Sequence, residues 1–281
     1  MAELDPTFIA EKEQQLACQP PSVSPFWHQK YVNESNMSWD KFYNRNSTHF
    51  FKDRHWPPRE FPDLMAPATR ICLEAGCGVG NMVFPTLDQN PAIERYFACD
   101  VSKNAIELVK NNPGYKSMRC TAFVADIKEA NALDEYILAE SVDVVTCIFV
   151  LSALTQRQHP RALFNLARCM KVGGVLLLRD YGRYDLAQVR FAPTSRLDEN
   201  LYVRQDGTLA YYFTKEEIEV LGRDAGLEGL VEWKTDVKVN RRTGVRMDRV
   251  WIQARLVKTK HVDTWPDDEI NPSLCHVISN E

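Results

Sequence analysis

The sequence predicts an α/β fold, a mostly parallel seven-stranded sheet with helices on both faces, carrying an N-terminal extension and one insertion. Three observations predict it. From residue 70 onward, short apolar runs alternate with helix-like segments, as they do in βα units. A glycine loop, Gly76-Cys77-Gly78-Val79-Gly80, follows the first apolar run and precedes a helical pattern. The run Lys171-Val172-Gly173-Gly174 stops a helix and starts a strand, after which one more helix and two strands complete the pattern.

Taken in order, residues 1–37 are polar, broken by Pro20-Pro21 and Pro25, and without sustained period, which predicts a flexible or partly helical arm. Residues 38–69 begin with aromatics and cations together: Trp39, Phe42, Tyr43, Phe50, Phe51 and Trp56 beside Lys41, Arg45, Lys52, Arg54 and Arg59. Buried helices seldom carry that mixture, so this segment is expected to grip a ligand. The main domain is expected over 70–260, with strands near 70–75, 95–100, 121–126, 142–149 and 174–180 and helices near 80–88, 103–111 and 157–170. Thr214 to Ala225 reads as a helix with a threonine cap and early glutamates, and strands near 229–239 and 248–258 follow. Residues 182–213 lack a clear period and are expected as an insertion over the sheet's C-terminal edge, the edge at which such folds bind ligands. Residues 261–281 form an acidic tail.

Composition narrows the function classes. The chain of 281 residues is 44% hydrophobic, enough for a large core, and its formal charge of −4 excludes a general polycation. Charge is nevertheless uneven: residues 41–59 carry five cations against Asp53, and residues 234–260 carry nine against Asp236 and Asp248. Two basic stretches on an acidic chain would make a local nucleic-acid footprint if they met in space, and solvated faces otherwise. Eight cysteines without a C-x-x-C pair, mostly within apolar runs, predict a reduced intracellular protein without structural zinc; no histidine has metal-ligand spacing, so no metal is expected. No signal sequence or membrane-length apolar run is present, which predicts a cytoplasmic or nuclear location.

Glycine directly after a strand lets the backbone approach a ligand, but G-x-G-x-G alone also fits a dinucleotide enzyme. The extra residue of a pyrophosphate-binding G-x-G-x-x-G is missing, and Glu74 before the loop would repel a pyrophosphate while suiting the ammonium or sulfonium of S-adenosylmethionine. Asp100 at the end of the second strand can accept from both ribose hydroxyls. Asp126 at the end of the third can accept from the adenine amine. Ile148, ending the fourth, would pack beside the adenine or simply fill the core. Each feature has a plain structural reading alone; at successive strand ends they point to a Rossmann-like, class I methyltransferase that uses S-adenosylmethionine.

The strings Trp39-Asp40-Lys41-Phe42-Tyr43, Phe50-Phe51-Lys52-Asp53-Arg54-His55-Trp56, Glu74 to Asn81, Ile148 to Ser152, Leu178 to Asp185 and Tyr202 to Thr208 closely resemble the family that makes 3-methylcytidine in the anticodon loop of tRNA, over about residues 38–258. The resemblance implies cofactor contacts from Trp39, Tyr43, Gly76, Gly78, Asp100, Asp126, Ile127 and Ile148, and cytosine contacts from Phe50, Arg54, Asp180 and Tyr181. It implies a substrate at position 32 of threonine, serine or arginine tRNAs: Arg183 to Gln188 and Arg249 to Gln253 are similar to the threonine and arginine branch, Arg204 to Gly207 to the serine branch. It also implies the tRNA anticodon stem-loop as partner, with an aminoacyl-tRNA synthetase such as seryl-tRNA synthetase or another adaptor.

The chemistry agrees with that reading. Cytosine nitrogen 3 is a neutral nucleophile near neutral pH, so an unpaired base held in line needs no strong general base. Methylation leaves a cationic ring, which a carboxylate such as Asp180 would stabilise. Phe50 or Tyr181 could stack on the base. Tyr202, Arg204 and Asp206 fall around or beneath the pocket. The basic 234–260 stretch would contact phosphates. A methyltransferase acting on a small molecule or protein, an inactive RNA-binding module of the same fold, and a nicotinamide dehydrogenase remain as alternatives.

Overall fold

A computed structural model describes residues 3–18, 23–48, 52–54, 56–239, 244 and 246–262. In chain order the helices are α1 (Pro6–Ala17), α2 (Pro25–Asn33), α3 (Ser35–Asn46), α4 (Pro57–Glu60), α5 (Val83–Gln89), α6 (Lys103–Lys110), α7 (His159–Cys169), α8 (Leu186–Val189) and α9 (Lys215–Asp224). The strands are β1 (Ile71–Ala75), β2 (Arg95–Asp100), β3 (Cys120–Val124), β4 (Val142–Ile148), β5 (Met170–Tyr181), β6 (Arg196–Asp198), β7 (Leu201–Val203), β8 (Leu209–Tyr211), β9 (Leu227–Val239) and β10 (Arg246–Lys258).

Seven strands form one sheet in the order β3-β2-β1-β4-β5-β10-β9. The first five are parallel; β10 runs antiparallel to β5 and β9 antiparallel to β10, so β9 again runs with the first five and β10 is the reversed strand. The parallel strands read as unbroken apolar runs because both of their faces are covered. Along β5, Leu176 and Leu178 enter one core with Leu163 and Leu166 of α7 and Ile218 and Leu221 of α9. The alternate residues Val175 and Leu177 enter a second core with Val83 of α5 and Ile106 and Val109 of α6. The period of two along a strand therefore builds the two cores and puts helices on both faces.

Caps set the helix starts. Ser102 Oγ accepts from the Ala105 amide at 3.1 Å and opens α6. Thr214 and Glu217 form a reciprocal box at α9, with the Glu217 amide donating to Thr214 Oγ1 at 3.1 Å and the Thr214 amide to Glu217 Oε2 at 2.6 Å.

The stretch expected as a flexible or partly helical arm is helical over α1 and α2: Asp5 caps α1, and Leu4, Phe8, Ile9 and Leu16 bury themselves against Tyr184 and Val250. Tertiary packing supplies what the polar, proline-broken sequence lacks on its own. The insertion forms the three-stranded antiparallel sheet β6-β7-β8, whose Leu197, Leu201, Val203 and Leu209 join the first core. Strands of three residues are too short to show a period.

Candidate active site

The glycine loop leaves β1 at the C-terminal edge of the sheet and turns with positive φ at Gly76 (63°), Gly78 (53°) and Gly80 (86°). Glycine is required there on two counts, since the left-handed region strains other residues and there is no room for a side chain. A Cβ at Gly76 would collide with the Val150 methyls, and one at Gly78 would lie 2.6 Å from the Tyr43 hydroxyl. The loop is tied to β2: the Cys77 amide donates to the Cys99 carbonyl at 2.9 Å, and the Gly78 amide to Asp100 Oδ2 at 2.9 Å.

Asp100 takes a second backbone amide, from Ser102, on Oδ1 at 2.9 Å. It is 7% exposed, and burial pushes its carboxyl up to about 6 although those two amides favour the charged form. Each oxygen keeps a lone pair for a ligand.

Helix α3 roofs the loop. Asp40 anchors it by accepting from Ser102 Oγ at 2.7 Å and Asn104 Nδ2 at 2.9 Å, at the start of α6. One stripe of α3 then carries Asn36, Trp39 and Tyr43 over a cleft whose other walls are Gly76, Asp100, Val101, the run Ala125 to Ile127, and Phe149, Val150, Ala153 and Leu154. Trp39 and Tyr43 stack with ring centres 6.1 Å apart. The Trp39 indole N–H is buried and has no acceptor among the described residues. An unpaired buried donor costs about 1–3 kcal/mol, and at the edge of the cleft this one is open to an acceptor on a ligand. Asn36 Nδ2 donates to Asp126 Oδ2 at 2.6 Å, and the Lys128 ammonium pairs with the same oxygen while donating to Asn36 Oδ1 at 3.0 Å.

The structure thus brings Trp39, Tyr43, Gly76, Asp100, Asp126 and Ile127 into one cleft, with Asp126 just past the end of β3. Gly78 is not on the wall; it holds Asp100 and leaves space for Tyr43. Ile148 does not line the cleft either: it is 3% exposed and points into the second core. The chain turns at the next residue, Phe149, with φ 59°, so Phe149 and Val150 form the wall instead. Sequence reasoning missed them because that backbone turn has no sequence signal, and it missed Asn36 because the flexible or partly helical arm expected there had no period to assign a helix face. Glu74 is buried and accepts from the Tyr96 hydroxyl at 3.1 Å, and burial raises it to about 8 against the pull of Arg54 and that hydrogen bond. It is thus not the anion facing a ligand that the sequence suggested.

Beside the cleft lies an aromatic and cationic cluster. Arg54 sits over the Phe149 ring at 5.8 Å, with its amide bonded to the Asn81 carbonyl at 2.8 Å. It pairs with neither Asp53, which holds Asn81, nor Glu60, which holds Arg179 at 3.2 Å. Phe149 and Tyr181 have ring centres 5.0 Å apart, and the Arg204 guanidinium lies 5.3 Å from the Tyr181 ring. Asp180 is fully buried beneath them, accepting from the Ser152 amide at 3.0 Å and from its neighbour Tyr181 at 2.8 Å; burial raises its carboxyl to about 6. Its carboxylate therefore does not line the open cleft: the pleat of β5 puts Asp180 on the face of Leu176 and Leu178, which enter the first core. Phe50 lies outside the described residues.

The basic stretch 234–260 is less free than its count suggests. Arg249 binds Asp185 at 2.8 Å, Arg255 binds Asp63 at 2.8 Å, and Lys234 binds Glu232 at 3.0 Å. Lys258 is 1% exposed and holds Glu140 and the Met170 carbonyl, each at 2.9 Å. Arg241 and Arg242 and the side chains of Lys238 and Arg246 lie outside the description.

A glycine loop after β1, carboxylates at the ends of the next two strands and one reversed strand, β10, in an otherwise parallel seven-stranded sheet define the Rossmann-like methyltransferase class. A family model described as a methyltransferase domain matches residues 73–176. The fold is shared with a methyltransferase of Anabaena variabilis (TM-score 0.59, 13% identity, 85% of this chain and 97% of that one). It is also shared with the Burkholderia thailandensis 1,6-didemethyltoxoflavin N1-methyltransferase solved with S-adenosylhomocysteine (TM-score 0.56, 14% identity, 85% and 92%). At the level of sequence, the human tRNA N(3)-cytidine methyltransferase METTL6 is 45% identical over 255 residues, 89% of each chain. The Schizosaccharomyces pombe tRNA N(3)-methylcytidine methyltransferase trm141 is 43% identical over 242 residues, 82% of this chain and 95% of that one. The zebrafish (Danio rerio) METTL2 is 41% identical over 271 residues, 82% and 75%. The chain belongs to the family of tRNA N(3)-cytidine methyltransferases.

Proposed function

We propose that the cleft beneath α3 holds S-adenosylmethionine, and that Arg54, Phe149 and Tyr181, with Asp180 under them, form the chamber for a cytosine extruded from the anticodon loop at position 32 of threonine, serine or arginine tRNAs. The protein is a S-adenosylmethionine-dependent methyltransferase that forms 3-methylcytidine in tRNA. The observation that carries the site assignment is the meeting of the unpaired Trp39 indole N–H with Asp100 and Asp126 across the glycine loop.

When bound, the cofactor supplies a methyl group on a positively charged sulfur. Asp100, ionised above about pH 6, accepts from the two ribose hydroxyls. Asp126, with Oδ2 engaged by the Asn36 and Lys128 side chains, offers the adenine amine its Oδ1, which otherwise takes the Lys128 backbone amide at 3.3 Å. Trp39 and Tyr43 close the cleft and exclude water.

On the substrate side, nitrogen 3 is in the Watson–Crick edge, so the base must leave its stack. The Phe149–Tyr181 ring pair offers it an apolar face and Arg54 a donor for its carbonyl. No strong base is required, since the nucleophile is neutral; the task is holding it in line with the methyl group. The negative field of Asp180, and not a direct contact, favours the ring as it becomes cationic. Phe50 is assigned to stacking from the resemblance alone.

The test is nucleoside mass spectrometry of unmodified total tRNA after incubation with the purified protein and S-adenosylmethionine. Formation of 3-methylcytidine supports the reading, and its absence despite cofactor binding counts against it. Family resemblance also supports a synthetase or adaptor as partner, and adding seryl-tRNA synthetase to the same assay tests that; an unchanged rate removes that partner.

A further inference from the structure

Helix α3 has two working faces. Asn36, Trp39 and Tyr43 look onto the cofactor cleft, whereas Ser38 and Arg45, two turns apart, share the opposite stripe. That second stripe meets the turn between β7 and β8: a Cβ at Gly207 would lie 2.9 Å from Ser38 Oγ, at a position whose φ of 84° already calls for glycine. Between α3 and the turn runs an open groove of about 570 Å³ lined by Arg45, Phe191, Arg204, Gln205 and Asp206. It is polar, lies outside the cofactor cleft, and plays no part in the chemistry above.

The chemistry of its walls is specific. Phe191 stacks on Tyr202 with ring centres 4.7 Å apart and planes 18° apart, so one face of the ring is backed by another aromatic while the residue stays partly exposed to the groove. Arg204 is pinned by the Leu209 carbonyl at 2.8 Å and by Thr208 Oγ1 at 3.2 Å. Arg45 is exposed and has no ion pair among the described residues. Asp206 has one oxygen committed to the turn, accepting from the Thr208 amide at 3.0 Å, which leaves the other oxygen as an acceptor. A backed aromatic face, two guanidinium groups and a free acceptor side by side suit a base and a phosphate together, that is, a nucleotide.

The groove is also linked to the methyl-transfer chamber. Phe149 borders the cofactor cleft, Tyr181 lies 5.0 Å from it, and Arg204 lies 5.3 Å from Tyr181 on the side that opens into the groove. We propose that this groove is a second nucleotide subsite, which holds the nucleotide covalently next to the target cytidine with its base on Phe191 and its phosphate between Arg45 and Arg204. The subsite rests on the reading of the enzyme as a tRNA methyltransferase and deepens it: one nucleotide is turned into the chamber while its neighbour is held outside, so that the strand is gripped on the flank of the extruded base.

The test uses the full-length protein and ligated tRNA substrates carrying an abasic riboside on either side of the target cytidine. Binding is read by fluorescence anisotropy in the presence of S-adenosylhomocysteine, and 3-methylcytidine formation is read separately. One of the two abasic tRNAs should bind the wild type about tenfold more weakly, the effect of one lost stacked base. Phe191→Leu, which keeps apolar packing on Tyr202, should weaken intact tRNA by a similar factor and that abasic tRNA by little more. Arg45→Gln, an exposed change, should lower the slope of log Kd against log salt by about one. Cofactor affinity should be unchanged in both variants. If neither abasic tRNA binds more weakly, or if the Phe191→Leu and abasic losses multiply, the subsite is overturned. If the binding pattern holds but no tRNA yields 3-methylcytidine, the reaction assignment falls while the subsite stands.

Discussion

Replacing Asp100 by asparagine keeps the side chain's volume but removes its charge and one acceptor oxygen. In the folded protein both oxygens are used, by the Gly78 and Ser102 amides at 2.9 Å each. In the variant one of those amides faces an NH2 group, leaving a buried donor unpaired at a cost of about 1–3 kcal/mol. An opposing contribution comes from the charge itself. Burial, helped by the Asp40 carboxylate, raises Asp100 from 3.8 to about 6, so keeping it ionised at neutral pH costs roughly 3 kcal/mol that asparagine does not bear. The two nearly cancel, and unfolding in denaturant near neutral pH should shift by less than about 2 kcal/mol. Cofactor binding has no such cancellation: two hydroxyls donating to a charged acceptor are worth about 1.5–3 kcal/mol each, and a neutral acceptor gives about half. The loss is about 2–3 kcal/mol, or roughly 30- to 150-fold in Kd for S-adenosylhomocysteine by calorimetry. The pH dependence has a definite sign. The folded pKa is raised, so stability from this group is fully present below the unfolded value near 3.8 and is lost as pH rises through about 6, while the charged acceptor appears over the same interval. Wild-type affinity should therefore tighten between about pH 5 and about pH 7, and Asp100→Asn should be flat there. A variant that binds within about threefold of wild type, or that keeps the pH dependence, would refute the role given to Asp100.

Three further outcomes are expected. Gly78→Ala forces an L-residue into φ 53° against the Tyr43 hydroxyl, which should cost about 1–2 kcal/mol in thermal unfolding and weaken cofactor binding; a silent substitution would remove Tyr43 from the cleft roof. Asp180→Ala leaves the Ser152 amide without its carboxylate, so stability should fall by about 1–3 kcal/mol and turnover should be lost, while calorimetry gives an unaltered cofactor Kd; normal turnover would end the electrostatic role of that buried group. Lys258→Ala removes a buried cation from Glu140 and the Met170 carbonyl, so denaturant unfolding should fall by about 3 kcal/mol with no change in the salt dependence of tRNA binding; a reduced salt slope would return this lysine to the RNA surface.

The residues that sequence reading located best are those whose chemistry depends on local backbone. A glycine loop after a strand, and carboxylates at successive strand ends, are positioned by sheet topology once the apolar runs are recognised, so Gly76, Asp100 and Asp126 were legible and converge on one cleft. The parallel core was legible for the same reason: strands buried on both faces show as continuous apolar runs at any depth in the chain. Tertiary structure decided what long-range contacts alone determine. The polar N-terminal stretch becomes α1 because Leu4 and Leu16 find Tyr184 and Val250, more than 160 positions away. Ile148 turns into the core while Phe149 lines the cleft, because a single positive φ reverses the chain there. The pleat of β5 turns Asp180 inward with Leu176 and Leu178, and among the described residues Lys234, Arg249, Arg255 and Lys258 are claimed by acids, three of which lie outside that stretch and its strand. Local sequence specifies which side chains can do chemistry at a strand end; which of them meets solvent, a partner charge or a ligand depends on the packing of segments far apart in the chain, and that packing has no local signature.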